Sequence, residues 1–350
     1  MKRAELISLV REFPDRSIQW LLETPDNVCG LLTILSSDLA SRINYNQLRN
    51  LKRTFILDNF RKREADIVFE APFVDESENI PSEVIIYILI EHQSTIDPTI
   101  PFRLLSYMTQ IWDMQRREWE NKNLPLHQWR FCPILPIVFY TGDQRWELPS
   151  DMRQLMDLPV SLEKFIPRHE TLFLDLKTTE PERLTKENHP FGWVLQVIQK
   201  EEAAQEEFKD ALHFAVQHLE LMLPDERVNW EKLMHFLFAF INHRRKQSEQ
   251  SELFEVVQNA VSDKSHRKEM EKMGKTIAQA LIEEGEIKGK IEGRIEGLHD
   301  AVSLGLELKF GPDSIALMDK VLKVESVEKL EKIIKTIKIA KKIEEIEKLI

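Results

Sequence analysis

Asp66, Glu91 and Gln93 are the residues of this chain whose types and spacing can do chemistry together. Asp66 heads the β-prone run Asp66-Ile67-Val68-Phe69-Glu70, and Glu91 and Gln93 close a second run, Ile85-Ile86-Tyr87-Ile88-Leu89-Ile90-Glu91-His92-Gln93. Two carboxylates converging at the end of a sheet can hold a hard divalent cation, which takes oxygen ligands and often bridges to a phosphate. That is nuclease-like chemistry. The plainer reading is that acidic residues flank buried strands because strand ends are solvated.

The elements that must position these residues follow from the sequence between them. Both runs are β-branched and aromatic, and Val74-Asp75-Glu76-Ser77-Glu78-Asn79-Ile80-Pro81 is rich in turn formers, so the spacing predicts a β-hairpin with a loose loop. Opposed residues of an antiparallel hairpin keep a constant index sum, and pairing Asp66 with Glu91 centres the turn between Glu78 and Asn79, inside that polar stretch. Side chains two apart on a strand share a face, so Glu91 and Gln93 point one way and His92 the other, where it can still offer its carbonyl. A slip of one residue would turn Asp66 away.

A helix is predicted from Pro101 to about Glu120, with proline near its first turn. Arg103 at its start is placed to clamp a DNA phosphate, to pair with a site carboxylate, or to form a salt bridge holding the helix to the sheet. His92 reads as a core histidine by strand parity. Glu70 shares the face of Asp66 and reads as a solvated strand end ahead of a ligand to a second ion.

The residues after Gln93, Ser94-Thr95-Ile96-Asp97-Pro98-Thr99-Ile100-Pro101-Phe102-Arg103-Leu104-Leu105-Ser106-Tyr107-Met108, carry a further signal. An Asp-led strand, a strand ending in Glu-His-Gln-Ser and a Pro-Phe-Arg-Leu-Leu-x-Tyr-Met helix, in that order, resemble the Rpn or YhgA-like transposase-type family, recombination-promoting nucleases of the PD-(D/E)XK superfamily. Pro133 to Asp143, with Trp146 behind it, is similar to that family's next strand and its aromatic-Thr-Gly turn, and Thr171 to Leu176 to the strand after. Near the N-terminus Asp15 falls where the family usually has His-Asp, with Pro14 in place of the His. The resemblance spans roughly residues 10 to 300 and is most specific from Asp66 to Met108.

The resemblance implies a restriction-endonuclease-like (PD-(D/E)XK) α/β core, and it implies roles. Asp66 and Glu91 become ligands of magnesium or another divalent cation such as manganese or calcium, and Gln93 takes the position usually held by a lysine that orients or activates the attacking water. The amide departs from that pattern: it can hydrogen-bond a water or a ligand but supplies neither a base nor a positive charge. Water activation would then fall mainly to the metal.

Composition frames the site. The chain has 350 residues, 42% of them hydrophobic, enough for one large or two modest domains. A net charge of −11 argues against a generally adhesive DNA coat, because nonspecific binding depends on Lys and Arg neutralising phosphates. Distribution matters more than the sum. One basic cluster, Arg42, Arg49, Lys52, Arg53, Arg61, Lys62 and Arg63, precedes Asp66 and can guide a duplex toward it, although charge runs are often simply solvated faces. His243-Arg244-Arg245-Lys246 forms a second cluster, while no Lys or Arg lies between Asp66 and Asp97. Cys29 and Cys132 give no disulfide framework or paired metal-ligand spacing, as in a reducing compartment. Met1 to Glu5 leads into a charged segment with no signal-peptide core, and no apolar run approaches bilayer length, so cytoplasmic residence without membrane contact is expected.

Residues 4 to about 62 read as helices broken at Thr24-Pro25-Asp26, and 65 to 177 as strands with intervening helices in an αβββαβ-like order. The expected organisation is a nuclease-like core over 1–180, a helical extension packed on it over 181–275, a Gly-Lys-Glu repeat helix or linker over 276–300, and a small helical C-terminal domain over 301–350. Pro181 to Pro190 reads as a polar loop. In the repeat, Gly285, Gly289, Gly293 and Gly297 alternate with Ile287, Ile291 and Ile295, a composition that makes a marginal helix unless something packs on it. Its Glu and Lys content excludes a membrane role. Similar repeats often link core to tail in the family that the chain resembles, and the tail from Leu304 resembles a small domain often appended there. Val327, Leu330, Ile334, Ile337, Ile343, Ile346 and Ile350 give the tail an apolar face, to be buried within the chain or in a homo-oligomer.

These readings converge on a metal-dependent DNA endonuclease of transposase type. The alternative is a catalytically weak or inactive DNA-binding or assembly protein that keeps the nuclease fold. A third reading, a structural oligomer with no nucleic-acid role, is favoured if the two basic clusters lie scattered over opposite faces.

Overall fold

The computed structural model describes residue 13 and residues 17–51, 66–75, 82–147, 151–223, 226–340 and 342–349. Asp15 and the basic residues Lys52, Arg53, Arg61, Lys62 and Arg63 lie outside the described residues, as does the hairpin turn around Glu78 and Asn79. The chain divides into two compact units, 1–277 and 278–350.

The first unit is α/β and is built on a mixed sheet of order β1-β2-β3-β4-β5. Its strands are β1 (Arg49–Leu51), β2 (Asp66–Asp75), β3 (Ser82–Gln93), β4 (Ile134–Tyr140) and β5 (Leu172–Asp175). The alternation of β-branched and aromatic residues in β2 and β3 produces the antiparallel hairpin that the sequence predicts, and its register holds from Asp66↔Glu91 to Asp75↔Ser82. β4 then pairs parallel to β3, and β5 parallel to β4. A parallel neighbour needs a crossover, and the helix between β3 and β4 supplies it.

The N-terminal helices are α1 (Ser17–Leu22), α2 (Pro25–Leu35) and α3 (Ser37–Ser41), and the crossover helix is α4 (Ile100–Asn121). Thr24-Pro25 makes the expected break, with proline in the first turn of α2, where its missing N–H costs nothing. Leu104, Tyr107, Met108 and Ile111 on one face of α4 pack on Val68, Tyr87, Leu89 and Val138 of the sheet. Burying Leu104, Met108 and Ile111 contributes about 1.5–3 kcal/mol each. Ile67, Phe69, Ile88, Ile90, Ile137 and Phe139, which alternate with the first set along their strands, are buried on the other face.

The helical expectation for residues 4 to 62 fails between α3 and Leu51, and residues 52–62 lie outside the described residues. Val74 N–H donates to the Arg42 carbonyl and Asn44 N–H to the Pro72 carbonyl, Ile43 bridges to Phe73, and β1 pairs antiparallel with β2. The hairpin's outer strand leaves a row of backbone groups without partners, and satisfying them outweighs the weak helix preference of a short polar stretch. Pro181 to Pro190 likewise holds more than a loop: α5 (Pro181–Thr185) precedes α6 (Pro190–Gln199), each with proline in its first turn. His189 caps α6, its Nδ1 accepting from Phe191 N–H at 3.1 Å. Gly30 of α2 makes room there, since a Cβ at position 30 would collide with the His189 ring.

The first unit continues as α7 (Gln205–Glu220), α8 (Arg227–Arg244) and α9 (Gln247–Ala260), and the boundary between the units falls within α10 (Lys264–Phe310). In the second unit α11 (Ile315–Val321) and α12 (Val327–Ile339) bury Val302, Leu306, Leu317, Val321, Leu330, Ile333 and Ile337 together. The apolar face of the tail is therefore covered within the chain at Leu330, Ile337 and Ile346. The glycine repeat is helical, and a Cβ at Gly285, Gly289, Gly293 or Gly297 would meet nothing within 4 Å. No helix among the described residues is long and apolar enough to cross a membrane.

Candidate active site at the end of the central hairpin

β2 begins with Asp66 directly opposite Glu91 near the end of β3. Directly opposed positions of an antiparallel pair share a face, and this face is the one that α4 covers at Val68 and Leu89. Gln93, two residues after Glu91, occupies the same face at the last residue of β3.

Glu91 is fully buried, and its two oxygens have different fates. Oε1 accepts from Gln93 Nε2 at 2.5 Å and from Arg103 Nη2 at 2.5 Å. Oε2 is buried without a hydrogen-bond partner among the described residues. A desolvated carboxylate oxygen with no donor is costly, and an ion, a proton or a water would each relieve that cost.

Arg103 reaches this point because it sits in the first turn of α4, and its side chain is only 6% exposed. Its Nη1 donates to Asp97 Oδ2 at 2.8 Å, and its Nη2 also contacts the Tyr107 hydroxyl at 3.3 Å. Asp97 is fixed in turn, Oδ1 accepting from Thr99 N–H at 2.8 Å and from Thr99 Oγ1 at 2.6 Å. Burial opposes ionisation of Asp97, but the Thr99 hydroxyl and N–H and the Arg103 guanidinium outweigh it and hold its carboxyl below the ordinary value. The structure pairs Arg103 with Glu91, which is at once a pairing with a candidate site carboxylate and a salt bridge that holds α4 to the sheet.

His92 points to the opposite face, as its strand parity predicts. Its Nε2 lies 2.9 Å from Thr141 Oγ1 and its ring 5.8 Å from that of Phe139. Burial pushes its pKa down to about 4, so the ring is neutral near pH 7. Thr141 also ties the strand end together, its N–H donating to the Gln93 carbonyl at 2.9 Å. Glu70 is engaged away from Glu91, accepting from the Arg49 guanidinium and from the Tyr87 hydroxyl at 3.2 Å.

The structure thus brings Glu91, Gln93 and Arg103 together, with Asp66 opposite in register. Asp97, Tyr107 and Thr141 are the participants that spacing does not assign. Asp97 has a local signal, an Asp two residues before a helix-opening Thr, but its partner Arg103 is reached only once the helix has turned. Among the described residues no three His, Cys, Asp or Glu side chains form a ready metal cage. Magnesium does not need one, since it is commonly held by one or two carboxylates plus water and substrate phosphate. The unpartnered Glu91 Oε2 and the register position of Asp66 fit that donor set.

Two comparisons bear on the chain. A family model described as a putative transposase, YhgA-like, matches residues 14–229, which include the whole sheet and the site. No solved structure matches the chain.

Proposed function

The chain belongs to the YhgA-like family, and from that premise we propose that it is a metal-dependent DNA endonuclease of transposase type with a PD-(D/E)XK core, hydrolysing phosphodiester bonds. The observation that carries this reading is the pairing of Asp66 with Glu91 at the strand ends, with Glu91 Oε2 buried and unpartnered. The order helix, three antiparallel strands, crossover helix and parallel strand supports the core assignment.

Asp66 and Glu91 would hold the ion, magnesium or a similar divalent cation. When bound, it would lower the pKa of a coordinated water and offset phosphate charge. Gln93 holds Glu91 through its amide nitrogen, which leaves the amide carbonyl to accept from a water. Arg103 balances part of the negative charge that would otherwise repel a phosphate. In this reading the protein works on DNA in the cytoplasm, and Arg53, Arg61, Lys62 and Arg63, which precede Asp66 in sequence, guide the duplex. The helices of the second unit, with Leu304, Leu308 and Ile339 exposed, are the place to look for a homo-oligomer contact.

A second reading is favoured by one observation: Glu91 already has a buried counter-ion in Arg103. That suits a DNA-binding or assembly protein that retains the fold with little cutting. Plasmid nicking with magnesium, manganese or calcium, on the wild type and on Asp66→Ala and Glu91→Ala, separates the two. Cutting that both substitutions abolish supports the endonuclease. Salt-sensitive binding without cutting supports the second reading, and cutting unchanged in both variants removes the site.

A further inference from the structure

We infer that Phe102 and Phe173 are base-stacking residues beside the candidate site, so that the DNA it takes presents unpaired bases there: a single-stranded tail or an opened duplex end, ahead of an intact duplex. Given the endonuclease reading above, on which this rests, the two rings define the class of DNA that the site accepts.

Phe173 lies in the same row as the candidate carboxylates. Asp66, Glu91, Val138 and Phe173 are paired in turn across β2, β3, β4 and β5, and paired positions share a face. Two strand spacings, about 10 Å, separate Phe173 from Glu91 along that row. Its ring is backed by Trp146 at 5.5 Å between centroids, and Trp146 by Tyr140 at 4.9 Å. Tyr140 is buried and donates its hydroxyl to the Gln144 carbonyl at 2.7 Å. The aromatic ledge is therefore fixed from behind, while Phe173 itself is 38% exposed. Phe102 stands in the first turn of α4, 52% exposed between buried Pro101 and Arg103. The Arg103 guanidinium on Glu91 ties that turn to the strand end.

Charge alone gives these positions little hold on DNA. Arg103 and Lys177, which follow β3 and β5, are both engaged with carboxylates, Arg103 with Glu91 and Asp97, and Lys177 with Asp143 at 3.2 Å. Nonspecific affinity depends on cations that neutralise phosphates, so nucleotides at the strand end need a second source of binding. Stacking of a base on an aromatic ring needs no charge and tolerates any sequence. In an intact duplex the faces of each interior base are already covered by its neighbours, so only an unpaired or extruded base can use these rings. The two rings belong to different elements, a helix and a strand, whose common destination is the carboxylate end of the sheet.

The test is fluorescence anisotropy of labelled phosphorothioate oligonucleotides, which resist hydrolysis, on the full chain with magnesium. Three DNAs are compared: a blunt duplex, the same duplex with a single-stranded tail of about ten nucleotides, and the tailed duplex with abasic sites throughout the tail. The wild type should hold the intact tail tighter than the abasic one by about tenfold. Phe102→Leu and Phe173→Leu, which keep an apolar side chain, should each lose about fivefold or more on the tailed duplex and little on the blunt one. Phe173→Tyr, which keeps a ring, should bind as the wild type does. Circular dichroism verifies folding, and the comparison of intact with abasic tail on the wild type carries the test if a leucine variant does not fold. A wild type that binds intact and abasic tails equally, or folded leucine variants that bind as the wild type does, would overturn this inference and leave the endonuclease reading standing. A wild type that binds none of the three DNAs overturns both.

Discussion

Arg103 Nη1 stands 2.8 Å from Asp97 Oδ2, so the first turn of α4 delivers to the end of β3 a cation that is already anchored. The anchoring explains how a guanidinium is tolerated at 6% exposure. It is shared between two carboxylates, Asp97 and Glu91, so the buried Glu91 charge has a counter-ion while Asp97, 14% exposed, keeps contact with solvent.

Removing that cation should be expensive. Arg103→Ala leaves Glu91 buried and uncompensated, and breaking a buried pair from one side costs about 3–5 kcal/mol. The double variant Arg103→Ala, Glu91→Gln should recover part of the loss, because no bare charge then stays inside. Urea midpoints at unchanged slope measure both. A loss below about 1 kcal/mol, the range of exposed pairs, would mean that Glu91 is not desolvated in solution.

How far the site could be read in advance depends on the range of the interactions. The Asp66↔Glu91 register was legible because a hairpin fixes pairing by local counting, and the parity of His92 followed from it. The helix after Gln93 was legible from Pro101 and its apolar spacing. The attachment of Arg103 to both Glu91 and Asp97 was not, since the partners of a helix-borne guanidinium are set only when α4 packs on Val68 and Leu89. Arg49 belongs to a basic cluster in the sequence, yet it sits in β1 and pairs with Glu70. A three-residue strand has no periodicity to detect, and its existence depends on a neighbour that spacing alone does not name.

If the chain is the endonuclease proposed above, Gln93→Lys should not raise cutting. A lysine at this position would meet the Arg103 guanidinium at Glu91 Oε1, where two donors already converge. Like charges at that distance repel, and the added cation would compete with a metal for the same carboxylate. Metal affinity should fall by about tenfold or more, and plasmid nicking should fall with it. Nicking faster than wild type would show that Arg103 does not supply the site's positive charge.

Stability should decline in mild acid through His189. Burial pushes its pKa down to about 4 from an ordinary 6.5, and its Nδ1 must stay unprotonated to accept from Phe191 N–H. The unfolded chain therefore binds the proton first: the contribution is complete above pH 6.5 and is lost as pH falls toward 4. Because the ring is partly exposed, the effect is on the order of 2 kcal/mol. His189→Asn keeps a capping side chain and removes the titration. Denaturation midpoints between pH 7 and 4 should fall less steeply in that variant, and parallel slopes would reject the assignment.

The glycine repeat allows the sharpest separation of two uses for one sequence feature. Gly costs a helix interior about 1 kcal/mol relative to Ala, and at Gly285, Gly289, Gly293 and Gly297 a Cβ would meet nothing within 4 Å. If these positions face only solvent in the working protein, Ala at each should stabilise the helix by up to that amount, seen as slower amide exchange through residues 285–297. If instead another chain packs against them, Ala would obstruct the approach, and the variants would lose oligomer by sedimentation while gaining nothing in exchange protection. Among the described residues nothing opposes the substitution, so the expected outcome is stabilisation without change in assembly.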